Sequence, residues 1–222
     1  MDTNISYLTL RKSLGILGLS LPVLLWAFNG FELKSSISHF YYSSSSIFYT
    51  SIFFAFGLFL FSYRGRVKDN VWISDNIVTH IGGFMAMATA FIPTAYCSYW
   101  KEPIIITNEL SNFCDGNGIT TQFIHNSPFL GAVHFICAAL FLILMGIMSY
   151  FRFTKGSTSN KKKIFYRICG IAIWVSIVAT GIVTFVDLEL TKYDIFIGEC
   201  IALVFFAVAW LIKGKAFQKF GF

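Results

Sequence analysis

The sequence predicts an all-α polytopic membrane helix bundle with six transmembrane helices and both the N- and C-termini cytoplasmic. Three observations carry that expectation. The chain is 56% hydrophobic and only 13% charged, and its mean hydropathy of +0.68 lies outside the range of a soluble globular domain. Its apolar residues fall in six runs, each long enough to cross a hydrocarbon core ~30 Å thick at ~1.5 Å per residue. Its basic residues gather on one side of those runs. A β-barrel would instead show alternating segments of about ten residues.

The whole chain, 1–222, reads as a single transmembrane domain without a soluble unit or a strong internal repeat. The first span is placed near 13–29. Arg11 and Lys12 precede it and no small-residue cleavage site follows before "NGFELK", so it is expected to be retained. Pro22 inside it is compatible with a membrane helix.

The second span is placed near 40–62. Its approach, "SISHFYYSSSSIFYT", has the composition of a serine linker, yet Ser35, His39, Ser43, Ser46 and Thr50 recur at helical steps. Helical geometry from Ser35 onward would set them on one stripe that continues to Gly57, with Tyr41 and Tyr42 at headgroup level as an aromatic belt.

The third span, near 76–96, carries Gly82, Ala86 and Ala90 at every fourth position, a spacing that lets helices pack closely in lipid. An outer loop over 97–128 follows, holding Cys97 and Cys114; the two are a candidate disulfide if the outer compartment is oxidising. The remaining spans are placed near 129–150, 167–187 and 194–212. Cys137, Cys169 and Cys200 within them read as small packing residues.

Orientation follows from charge. Arg11, Lys12, Arg64, Arg66, Lys68, Arg152, Lys155, Lys161, Lys162, Lys163, Arg167, Lys213, Lys215 and Lys219 share one side, against Lys34, Lys101 and Lys192 on the other. By the positive-inside rule the first side is cytoplasmic. The run "KGSTSNKKK" is therefore a topology signal and a contact for anionic lipid headgroups, and the net charge of +6 needs no nucleic-acid partner.

Ionisable groups inside a membrane are costly, so each is a candidate for function. His39, His134, Asp187 and Glu199 are expected at one depth near the outer side and, with Ser43 and Ser46, to wall a polar, outward-facing cavity. His80, nearer the cytoplasmic end, reads as a structural histidine. No P-loop, G-x-S-x-G, H-E-x-x-H or paired C-x-x-C occurs.

The segments "SISHFYYS", "GLFLFSYRG", "AMATAFIPT", "HFICAALF" and "ECIALVFFAVAWLIKG" together resemble a bacterial family of six-helix integral membrane proteins of unknown function. That family's pattern runs SIS-x-YYYT, G-x-FL-x-x-Y-x-G, A-x-FPT and E-x-x-AL…W-x-x-KG. It touches Ser36, Ser38, Tyr41, Tyr42, Gly57, Tyr63, Gly65, Pro93, Thr94, His134, Glu199, Trp210 and Lys213. The resemblance implies the same topology in a bacterial inner (cytoplasmic) membrane. It departs at Ser46 and Ile47, where the pattern has an arginine–aspartate pair. Ser35-x-x-x-His39 is also similar to an element of the ceramidase and progestin-receptor-like membrane hydrolases, although Thr50 stands where their aspartate is expected and no H-x-x-x-H occurs.

Three functions compete on these residues, and whether the chain is an enzyme stays open. It binds, moves or senses a lipid or small amphiphile in the polar cavity. Alternatively it is a metal-dependent hydrolase of lipid amides or esters, with zinc on His39, His134 and a carboxylate of Asp187 or Glu199. The third reading is an oligomeric channel or membrane-disrupting effector, since one chain of this size has little room for a pore.

Overall fold

Helix formation follows the apolar runs: α1 (Thr3–Phe28), α2 (Ser46–Phe61), α3 (Asp75–Phe91), α4 (Pro128–Ile147), α5 (Asn160–Val186) and α6 (Asp194–Lys213). A computed structural model describes residues 3–63, 65, 74–94, 128–155, 157, 159–186 and 191–217. Cys97, Cys114 and Asp187 lie outside these residues, so the candidate disulfide and one expected wall of the cavity do too.

The protein is an all-α six-helix bundle, and among the described residues four stretches are long and apolar enough to cross a membrane: Tyr7–Phe28, Phe129–Phe153, Asn160–Val186 and Asp194–Lys213. Such helices are consistent with a multi-pass membrane protein. The outward faces agree with it, because Ile16, Val23, Phe84, Val175, Val178 and Phe185 are all exposed. The expectation of six full spans is thereby reduced. α2 has 16 residues and α3 has 17.

The shortfall in α2 has a local cause. The chain enters through a 3-10 turn over Ser38–Tyr42 and becomes extended at Ser43, and the α-helix starts only at Ser46. Ser43 Oγ donates to the Phe40 carbonyl at 2.8 Å and accepts from the Ser45 backbone N–H at 3.3 Å. Serine hydroxyls thus take backbone groups that a helix would have used. The continuous stripe from Ser35 to Thr50 is replaced by three short conformations.

α3 ends where Pro93 forbids helical geometry at Ile92, whose ψ is 123°. Its last carbonyls have no partner within the helix. Side chains from elsewhere supply them: Tyr49 Oη donates to the Thr89 carbonyl and Tyr41 Oη to that of Phe91, both at 3.3 Å, while Tyr42 Oη reaches the Thr94 carbonyl beyond the helix at 2.7 Å. Tyr41 is therefore not part of an aromatic belt; it is 7% exposed. An unpaired carbonyl in an apolar interior costs more than a tyrosine at the interface gains.

Each helix packs on its neighbour in sequence, and α6 returns to α1, so the six form a closed ring. Phe53 and Phe56 of α2 meet Phe141 of α4 and Phe206 of α6 inside it, with ring centroids 5.4–6.0 Å apart. Phe56, Phe141 and Phe206 are at most 1% exposed. The axis of the ring is filled at this level.

Small residues set the helix spacing within the chain. A side chain on Gly83 of α3 would lie 2.9 Å from the Gly57 carbonyl of α2, and one on Gly57 would lie 2.9 Å from the Gly83 carbonyl. Gly82 faces Met145 and Leu144 of α4 instead. The repeat of Gly82, Ala86 and Ala90 therefore turns inward, all three being buried.

At the opposite end from the serine segment, α4 runs into a π-helical turn, Met148–Phe153, which carries Arg152 into a buried ion pair with Asp75 in the first turn of α3. Both residues are under 9% exposed. Lys213, in the last turn of α6, places its Nζ 5.0 Å from the Phe153 ring centroid, and the Arg11 guanidinium lies 5.3 Å from that of Tyr63. Three residues that served only as orientation signals in the sequence thus join helix ends.

Candidate functional site

Residues 35–38 are held to both α4 and α6 by hydrogen bonds. The Ser35 carbonyl accepts the Phe196 backbone N–H at 2.9 Å, satisfying a donor in the first turn of α6. In the other direction the Glu199 carboxylate accepts the Ile37 backbone N–H at 2.5 Å and the Ser36 hydroxyl at 3.0 Å. The segment has no helix of its own before Ser38, so these bonds supply its backbone partners.

His134 completes the other side. Its Nδ1 lies 2.7 Å from the Ile92 carbonyl oxygen and its Nε2 lies 3.0 Å from Ser38 Oγ. A carbonyl can only accept, so Nδ1 carries the hydrogen; in the neutral ring Nε2 is then a lone pair that accepts the Ser38 hydroxyl proton. The Pro93 break that frees the Ile92 carbonyl therefore also fixes the tautomer of a histidine on another helix. His134 is 2% exposed.

These groups border a cleft of about 160 Å³ between α4, α5 and α6. Ser36, Ser38, His39, Thr94, His134 and Glu199 line it toward the serine segment, and Ala138, Leu142, Ile177 and Ala202 line it deeper along the helices. Ser176 and Thr180 of α5 reach the wall as well, but each hydroxyl donates at 2.8 Å to the carbonyl four residues earlier in its own helix. Among the described residues of the lining there is no lysine or arginine.

Of the residues expected to wall a cavity, His39, His134 and Glu199 come together on this cleft. Ser43 and Ser46 do not line it; the broken helix turns Ser43 to the Phe40 carbonyl and Ser45 instead. Ser36 and Ser38 stand where those two were expected. The helical period pointed to the wrong serines because it assumed a regular helix. His39 bonds its neighbour, Nδ1 to Ser35 Oγ at 2.8 Å. His80 is exposed and stacks on Phe61 with ring centroids 5.6 Å apart.

His39, His134 and Glu199 share the cleft, while Asp187, the alternative carboxylate for zinc, lies outside the described residues. Among the described residues no group of three or more His, Cys, Asp or Glu side chains could hold a metal ion. Both His134 nitrogens are already engaged, and Glu199 is taken by the Ser36–Ile37 segment. Cys137, Cys169 and Cys200 are free thiols on three different helices.

No protein-family model matches the chain, and no curated protein or solved structure matches it.

Proposed function

We propose that the cleft binds a single-chain amphiphile with an uncharged, hydroxyl-bearing headgroup, of the monoacylglycerol type. The observation that carries this reading is the polarity of the lining: acceptor-rich groups at one end, apolar side chains along the rest, and no lysine or arginine among its described residues. A carboxylate or phosphate headgroup would meet the Glu199 carboxylate with no lysine or arginine of the described lining to offset it. Hydroxyl donors would instead find serine oxygens and the lone pairs that Ser36 and Ile37 leave on the Glu199 carboxylate. The deeper walls of Ala138, Leu142 and Ile177 suit hydrocarbon.

The size agrees with a short segment of one chain, since an engineered cavity of about 150 Å³ takes up a molecule such as benzene. The bundle sits in a bacterial cytoplasmic membrane on this reading, with Lys155, Lys161, Lys162 and Lys163 against anionic headgroups of the inner leaflet. A pore along the axis of one chain is disfavoured by the packed phenylalanines.

Gly181 provides the test. It lines the cleft, and a side chain built on it meets nothing within 4 Å. Gly181→Leu therefore adds bulk at a lining position where the first side-chain atom meets no neighbour. In lipid nanodiscs, short-chain monoacylglycerol is expected to raise the melting temperature of the wild type and not that of Gly181→Leu; at about 100 times Kd the stabilisation is ~2.7 kcal/mol. Equal shifts in both proteins, or none in either, would remove the cleft as the binding site.

A further inference from the structure

We propose that Ser38 and His134 form a nucleophile–base pair that cleaves the ester bond of the amphiphile in this cleft. The proposal rests on the cleft as the binding site and adds a reaction to it. Three observations converge. Ser38 Oγ lies 3.0 Å from His134 Nε2, within the reach a general base needs. The Ile92 carbonyl, 2.7 Å from Nδ1, holds the ring in the tautomer that presents a lone pair to the serine. Both residues line the same cleft, so the hydroxyl faces the place where a substrate carbonyl would sit.

The arrangement has the three parts of an activated nucleophile: attacking oxygen, base and a group that orients the base. Here the orienting group is a backbone carbonyl rather than a carboxylate. Its dipole stabilises positive charge on the ring at Nδ1–H. Glu199 is occupied by Ser36 and Ile37 and acts as a positioning residue, since it fixes the segment on which Ser38 is carried.

The reaction balances with water as the only co-reactant. Ser38 Oγ forms a bond to the ester carbonyl carbon while its proton passes to His134 Nε2. The bond from that carbon to the alcohol oxygen then breaks, and His134 returns the proton to the departing alcohol, leaving an acyl-serine. A water molecule repeats the sequence: its oxygen bonds to the acyl carbon, His134 takes a proton, and the bond to Ser38 Oγ breaks as the serine regains its hydrogen. The products are an alcohol and a carboxylic acid.

An alkyl fluorophosphonate tests the pair, because it forms a stable adduct only with an activated serine hydroxyl. The full chain in nanodiscs is treated with the probe and the adduct is located by peptide mapping of the wild type, which needs no variant to fold. The expected result is an adduct on Ser38 that excess monoacylglycerol suppresses. In His134→Gln, labelling slows by about 100-fold or more, as expected for loss of a general base. Ser44→Ala, at an exposed serine outside the cleft, stays labelled on Ser38. An adduct on another serine, or none on Ser38 while monoacylglycerol still stabilises the wild type, overturns the nucleophile and leaves the cleft standing. Absence of both the adduct and the stabilisation overturns the two readings together.

Discussion

Ser36, ahead of α2, and Glu199, in the second turn of α6, are 163 residues apart in sequence, yet the serine Oγ lies 3.0 Å from each carboxylate oxygen. The same carboxylate accepts the Ile37 N–H. Glu199 is therefore a clamp on the segment that carries Ser38, and the clamp sets where that hydroxyl points.

Removing the carboxylate leaves the Ile37 N–H and the Ser36 hydroxyl without their acceptor. Glu199→Ala is expected to destabilise the protein by about 1–3 kcal/mol, the cost of buried polar groups left unpaired. Glu199→Gln keeps an acceptor oxygen and loses less. Chemical unfolding in a mild detergent measures both, and an alanine variant as stable as the wild type would contradict the clamp.

The pair of Asp75 and Arg152 makes a second prediction. Either Asp75→Ala or Arg152→Ala leaves a buried charge uncompensated, for a loss of about 3–5 kcal/mol. The double replacement Asp75→Leu with Arg152→Met removes both charges and recovers most of that loss. Additive losses in the double variant would show that the two residues act independently.

A third prediction concerns spacing. Gly83→Val drives a side chain toward the Gly57 carbonyl and forces α2 and α3 apart, for a cost of about 1–3 kcal/mol. Gly181→Ala meets open space and is expected within about 0.5 kcal/mol of the wild type. Thermal unfolding of the two glycine variants side by side checks the contrast. Equal stability would place the close approach elsewhere.

The ring axis yields the fourth. Phe206 packs edge-to-face against Phe56 and Phe141 and is 1% exposed, so Phe206→Ala opens a void that the surrounding helices close only in part. The expected loss is about 3–5 kcal/mol. Phe185→Ala, on a 74% exposed side chain, serves as the comparison and should change little. A negligible effect at Phe206 would mean that the centre is not packed as described.

Much of the fold was legible because each membrane helix announces itself locally. Helix type and order follow from apolar runs, and α6 was placed to within a residue at its C-terminal end, since Asp194 opens it and Gly214 follows it. The entry to α2 was not legible. A period of about 3.6 residues places serines on one face only if the backbone stays helical, and the Ser43 and Ser45 hydroxyls prevent that. The distribution of basic residues likewise assigned Arg152 a side of the membrane but no partner, which is a buried carboxylate on α3.

The sequence by itself determined an all-α bundle of apolar helices and singled out His39, His134 and Glu199 as polar groups to be explained, because hydrophobicity and the cost of a charge in lipid are properties of a residue and its neighbours in the chain. Only the tertiary structure decided which serines meet them. Ser38 faces His134 across 96 residues and Ser36 faces Glu199 across 163. Such pairs depend on where Pro93 ends α3 and on how α6 closes the ring against α1, so the partner of each polar group is set by the path of the backbone and not by its local sequence.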